Sequence, residues 1–167
     1  MKPAPLGTDE TGRLNALESL GLLDTPPEER FDRLTKEAAE RLKVPISTIS
    51  LIDAKREWFK SCQGLPTKEG PREISFCGHA MFAQDVFIVE DTLEDERFRD
   101  NPYVIGPPYL RFYAGHALYN QSSGQPVGVF CIKDTQPRQL SVAELDIFLE
   151  LATRAEAEIN HPQAPTV

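Results

Sequence analysis

Cysteine, methionine, tryptophan and long apolar runs are all scarce in this chain of 167 residues. Its three cysteines, Cys62, Cys77 and Cys131, are odd in number and far apart, which argues against a disulfide framework and against a zinc site built on close Cys pairs. The three histidines, His79, His116 and His161, have no metal-ligand spacing to one another or to the cysteines, so no metal is expected. No apolar run approaches the roughly 20 residues that cross a bilayer, and Met1 to Glu10 lacks the apolar core of a signal peptide. A cytoplasmic location with no membrane partner is the expectation. Basic residues are outnumbered, 18 Lys and Arg against 26 Asp and Glu, and a net charge of −8 repels a phosphate backbone, so nucleic acid is a poor partner. Phosphate-cradling loops, dinucleotide fingerprints and nucleophile elbows are also missing, which lowers the expectation of catalysis. No residue pattern specifies a cofactor.

What is present suits one domain over residues 13–160, between a flexible segment 1–12 and a flexible tail 161–167. Leu14, Leu17 and Leu20 form an apolar stripe that Gly21 stops. Pro26 and Pro27 open a second helix carrying Phe31, Leu34, Ala38 and Leu42 at helical spacing through Lys43. Ile46 to Asp53 and Glu57 to Leu65 read as strands around an Asp53-Ala54-Lys55-Arg56 turn, with Trp58 and Phe59 on opposite faces. Ser75 is placed to cap a helix reaching about Gln84, followed by a short strand over Phe87 to Glu90. Asp91 to Leu110 reads as a long loop with a helical turn near Glu94 to Phe98, broken by Asn101-Pro102 and Pro107-Pro108. Arg111 to Tyr119 and Val127 to Lys133 form a hairpin whose second strand is apolar on both parities and hence central. Ser141 and Glu144 make a capping box, with Leu140 and Leu145 as its hydrophobic staple, before a stripe of Leu145, Phe148, Leu149, Ala152 and Ile159. This order predicts an α+β fold. A mostly antiparallel sheet of five or six strands would carry the terminal helices on one face, and the Ser75 helix with the long loop over a pocket on the other.

Six side chains are candidates to touch a ligand there: Trp58, Phe76, Cys77, His79, Arg111 and Tyr113. Cys77 falls in the first turn of a helix, where the helix dipole favours thiolate, although free cysteine is also among the most buried residue types. Arg111 and Tyr113 share a strand face with Gly115, where a guanidinium fork above a small residue suits a carboxylate or phosphate. The competing use of Arg111 is an ion pair with Asp91 or Asp95 that pins the loop. His116 falls on the opposite face. A tryptophan such as Trp58 is more often a core or interface anchor than a ligand platform. Three converging thiols would suit redox chemistry, which needs an accessible thiol of low pKa and a resolving partner.

The segment Asp24-Thr25-Pro26-Pro27-Glu28-Glu29-Arg30-Phe31-Asp32, followed by Ser75-Phe76-Cys77-Gly78-His79-Ala80 and Arg111-Phe112-Tyr113-Ala114-Gly115, resembles the GAF domains that precede bacterial histidine kinases and diguanylate cyclases. The resemblance runs from about Leu14 to Ile159 and leads to the expectation of a stand-alone sensor. It implies an antiparallel sheet with a pocket on one side, pairing of two copies through the terminal helices, and binding of a small molecule or a signalling protein partner. The Asn-Lys…Phe…Asp-Glu signature of cyclic-nucleotide-binding members is absent. Gly78 separates Cys77 from His79 where bilin-binding relatives often have the two adjacent. The single-domain size is similar to that of the free methionine-(R)-sulfoxide reductases, which makes a small thiol oxidoreductase the rival function. A ligand-free dimerisation module is the third.

Overall fold

Successive side chains of a β-strand point to opposite faces of a sheet, so a strand apolar on both parities must be covered on both sides. The computed structural model, which describes residues 1–161, places the two most continuously buried strands at the centre. These are β1 (Ile46–Ile52) and β6 (Pro126–Asp134), which pair antiparallel. Outside them lie β2 (Arg56–Gln63) with β3 (Glu69–Pro71), and β5 (Phe112–Tyr119) with β4 (Phe87–Val89). The six-stranded sheet has the order β3-β2-β1-β6-β5-β4, and every neighbouring pair is antiparallel. The α+β class and the antiparallel sheet are therefore as the sequence predicts.

One face is covered by the terminal helices α1 (Glu10–Ser19), α2 (Glu29–Leu42) and α5 (Val142–Ile159). Phe31, Leu34, Ala38, Phe148, Leu151 and Ile159 pack there against Ile49, Leu51, Phe112 and Phe130 of the sheet. At the start of α5, Ser141 accepts from the Glu144 amide while Glu144 accepts from the Ser141 amide, which completes the expected capping box. The buried side of α5 is turned slightly from the expected stripe: Leu151 and Ala155 are buried, while Leu145 and Leu149 are only half-buried. This follows from the helix lying between two surfaces, α2 and the sheet, which widens its apolar side beyond one stripe.

The distinctive Asp24 to Asp32 segment has a structural task. Lys60 of β2 points into the helix-side layer with its side chain sealed from solvent, ion-paired to Glu28 at 2.7 Å and donating to the Thr25 hydroxyl and the Pro26 carbonyl. Arg56 grips Asp24 through both oxygens, and the Ser61 hydroxyl donates to Asp32. A buried ammonium keeps its charge only with such partners, so the segment staples α2 onto β2.

On the other face α3 (Phe76–Ala80), α4 (Pro102–Ile105) and 3-10 turns at Arg72–Ile74 and Thr92–Glu94 cover the sheet. Ser75 caps α3 by accepting from the Gly78 amide, yet the helix stops short of Gln84. There the Phe82 and Ala83 amides turn back to the carbonyls three residues earlier, tightening the last turn. The Asn101-Pro102 pair, expected to break structure, opens α4. Asn101 accepts from the Tyr103 amide and Pro102 stands where its missing N–H costs nothing. The expected helical turn near Glu94 to Phe98 is present, with the Phe98 and Arg99 amides both bonded to the Asp95 carbonyl, and a 3-10 turn at Thr92–Glu94 precedes it; β3 was not anticipated because three residues carry no periodicity. The segment expected as flexible, 1–12, contains the first turn of α1 and two backbone hydrogen bonds, from Lys2 to Arg97 and from Ala4 to Glu73. Residues 162–167 of the expected tail lie outside the described residues.

Glu10 ties α1 to the far side of the sheet. Its carboxylate accepts from Arg13 at 2.9 and 3.2 Å and from Arg72 at 2.9 Å through each oxygen. Both guanidiniums are nearly sealed, and Arg13 also donates to the Ile52 carbonyl.

Candidate functional site

Beneath α3 the sheet face is filled. Phe76 stacks on Phe98 with ring centroids 4.2 Å apart, and Tyr113 closes against Phe76 at 5.3 Å. The Tyr113 hydroxyl donates to the Cys77 sulfur at 3.1 Å, and Cys77 leans on the Ser50 hydroxyl at 3.6 Å. From Ser50 the chain of polar groups continues through Thr48 to the Cys131 sulfur, in steps of 2.8 and 2.9 Å. The space beside Gly115 is taken by the Tyr113 hydroxyl, which a Cβ there would overlap. Phe76, Cys77 and Tyr113 are thus brought together as predicted, but as packed core with at most 1% exposure.

Burial pushes the Cys77 thiol well above its ordinary range, with its neighbour Cys131 adding to the effect, and burial likewise raises Cys62. The dipole of a five-residue helix does not offset the loss of water around a sealed sulfur. His79 is half-buried, with its ring on the edge of Phe98 and Nε2 against the Lys2 carbonyl. Burial, the main cause, lowers its pKa. Arg111 makes its ion pair with Asp91 at 3.1 Å, pinning the start of the long connection. Such a part-exposed pair is worth less than ~1 kcal/mol. Trp58 lies on the other face, among the residues packed under the terminal helices. The six candidates therefore do not converge.

A hollow opens instead beside this packed region, over β2 and the end of β6, with a volume of about 260 Å³. Its walls are apolar: Phe59 and Leu65 on one side, Tyr103, Pro107, Pro108 and Leu110 on the other. Three charged side chains line it from the sheet: Glu57 and Lys133, at 2% and 4% exposure, and the exposed Glu69 of β3, which is ion-paired to Arg56 at 3.5 Å. Glu57 Oε2 is sealed from solvent and has no hydrogen-bond partner. Among the described residues the Lys133 ammonium makes no hydrogen bond or ion pair, standing 5.8 Å from the Phe59 ring centre and 5.9 Å from that of Tyr113. Burial pulls the Lys133 pKa down, but the acidic groups around it, Cys131, Glu57, Cys77 and Cys62, outweigh burial and hold it above its ordinary value. The ammonium is charged at neutral pH.

Neither buried charged residue was among the sequence candidates, although one signal was present. Lys133 shares the strand parity of Val129 and Cys131, which face this side of the sheet, so its side chain had to enter the same layer. Glu57 shares parity with Phe59 in the same way.

A central antiparallel sheet with helices at both chain ends on one face and a hollow under irregular chain on the other defines a class of sensory domain. The GAF domain family matches residues 26–159, and the chain belongs to that family. It is 39% identical over 155 residues to a cyclic di-GMP phosphodiesterase of Pseudomonas aeruginosa, a match that takes in 90% of this chain but only 26% of that protein. In fold it is similar to the GAF domain of a phosphoenolpyruvate-protein phosphotransferase from Coxiella burnetii, with a TM-score of 0.64 at 15% identity, covering 89% of this chain and 93% of that one. It is similar also to a free methionine-R-sulfoxide reductase from Neisseria meningitidis, with a TM-score of 0.62 at 15% identity, covering 96% and 98%. GAF domains are typical of signalling sensory modules. No helix among the described residues is long and apolar enough to cross a membrane.

Proposed function

We propose that this chain is a sensory module that takes up a small molecule in the hollow between β2, the end of β6 and residues 103–110. The observation that carries this reading is a pair of buried charged side chains, Glu57 and Lys133, with no hydrogen bond or ion pair among the described residues, inside largely apolar walls. A pocket that holds charges without partners is built to receive groups that supply them. Ligand contacts are accordingly assigned to Glu57, Phe59, Tyr103, Leu110 and Lys133, while Phe76, Cys77 and Tyr113 form the packed core beside them. Occupancy would favour the closed position of residues 91–110, and that difference in affinity between closed and open states is the signal handed on. In the similar Pseudomonas protein the named activity is cyclic di-GMP hydrolysis, and control of such an output is the corresponding proposal for this chain.

A thermal-shift screen against a library of polar metabolites tests the pocket. A true ligand at ~100 times its Kd is expected to raise Tm by about 5–10 °C. Leu65→Trp, which fills the hollow, is expected to abolish that rise while leaving the far-ultraviolet circular dichroism spectrum intact. A library without a hit, or a shift that survives Leu65→Trp, removes the site.

Pairing of two copies through the terminal helices belongs to the same proposal. Val142 at 78% exposure and the half-buried Leu145 and Leu149 give α5 an outward apolar edge that supports it. Sedimentation velocity is expected to show a dimer that Val142→Glu with Leu149→Glu disperses. A monomer at every loading concentration would discard the pairing.

A further inference from the structure

The charges in the hollow also restrict what can enter it. Glu57 and Lys133 are of opposite sign, both nearly sealed, and not within ion-pair distance of each other among the described residues. Strands β2 and β6 are separated by β1, which holds the two side chains apart. The two charges feel each other only beyond salt-bridge distance and neither side chain has a hydrogen-bond partner among the described residues, so a ligand that supplies a direct partner to only one of them leaves the other's lost hydration unreplaced. A polyanion fares worse, because one ammonium faces it and the neighbouring carboxylate repels it. Glu69, the third charge on the lining, already pairs with Arg56, so the two buried groups ask for a molecule with two separated ends, one anionic for Lys133 and one cationic for Glu57.

Size and walls add the rest. About 260 Å³ is below the ~300–1,000 Å³ of pockets that hold drug-sized ligands, so the hollow in this conformation suits a molecule much smaller than a dinucleotide. Phe59, Leu65, Tyr103 and Leu110 present hydrocarbon and ring surface, so the body between or beside the two charges is apolar. Resting on the pocket reading above, the geometry points to a small zwitterion with a hydrocarbon or aromatic body, of the amino-acid class, whose carboxylate docks on Lys133 and whose ammonium docks on Glu57. Residues 103–110 then cover the apolar body, through Tyr103, Pro107, Pro108 and Leu110. The arrangement explains why charged residues sit at inward strand positions that otherwise hold Cys131, Val129 and Phe59.

The test is protein-observed NMR titration of the whole chain with L-norleucine, L-phenylalanine and 6-aminohexanoate, which differ in charge separation and body. Hexanoate, hexylamine, 3-phenylpropanoate and 2-phenylethylamine serve as relatives lacking one charge, and indole as an uncharged probe of the walls. At least one zwitterion is expected to bind at least tenfold more tightly than either of its single-charge relatives, shifting the Glu57 and Lys133 resonances. Lys133→Met and Glu57→Gln are each expected to weaken that zwitterion at least tenfold, and the wild-type comparison among probes stands even where a variant folds poorly. Equal binding of a single-charge relative, binding of indole alone, or folded variants that hold the zwitterion as well as wild type would overturn the zwitterion assignment and leave the pocket standing. Silence from every probe, indole included, would overturn the pocket itself.

Discussion

Glu10→Gln is expected to lower the unfolding free energy by about 3 kcal/mol, as measured by urea denaturation at neutral pH. Removing one partner of a buried ion pair costs ~3–5 kcal/mol because the remaining charge is left without compensation, and here two guanidiniums depend on one carboxylate. The lower end of that range applies because Glu10 is 22% exposed and water can partly replace it. The same contact makes stability depend on pH. Hydrogen bonds from Arg72, the largest cause, and from Arg13 hold the Glu10 carboxyl far below its ordinary 4.5, overcoming burial, which acts the other way. A depressed folded-state pKa contributes stability that is fully present above the unfolded value and fades as pH falls below it. The gap between wild type and Glu10→Gln should therefore be widest at neutral pH and narrow below about pH 4.5. A gap that stays constant down to pH 3 would show that the contribution does not depend on the carboxylate's charge, and one too small to measure at neutral pH would show that the clamp contributes nothing.

Phe76→Ala is expected to cost about 3–5 kcal/mol, the usual penalty for emptying an aromatic site in a packed core. Phe76 is 1% exposed, stacked on Phe98 and tilted against Tyr113, with no path by which neighbours could close the gap without moving α3. Folded Phe76→Ala protein is expected to keep wild-type affinity for whatever ligand the hollow takes, since Phe76 does not line it. This separates the two halves of the sheet face. A ligand-contacting Phe76 would give the reverse pattern, lost affinity with little lost stability.

The contrast bears on what could be read in advance. Helix caps and apolar stripes are local, so Ser75, Ser141 with Glu144, and the Phe31, Leu34, Ala38 and Leu42 stripe were legible from spacing. The central placement of β6 followed from its apolar residues on both parities. The site was legible only in outline. A hollow on the face away from the terminal helices was expected, but its residues were sought among conspicuous side chains, the tryptophan, the helix-start cysteine and the strand arginine. Trp58 shares a strand with Glu57 and Phe59 yet points the other way. Arg111 found a nearer partner in Asp91, an outcome that competed with ligand binding from the beginning.

The amino-acid sequence determined the elements, their order and the face each strand residue occupies, because capping, periodicity and strand parity act over a few neighbouring residues. Tertiary structure alone decided that Phe76, Phe98 and Tyr113 would fill one part of the sheet face while Glu57 and Lys133 would open onto a hollow in the other. That outcome depends on how the sheet is ordered and on where residues 91–110 cross it, and both are settled by contacts between segments distant in the chain. Charges that local rules would send to water are held inside because the strands carrying them are paired on both sides and cannot turn them out.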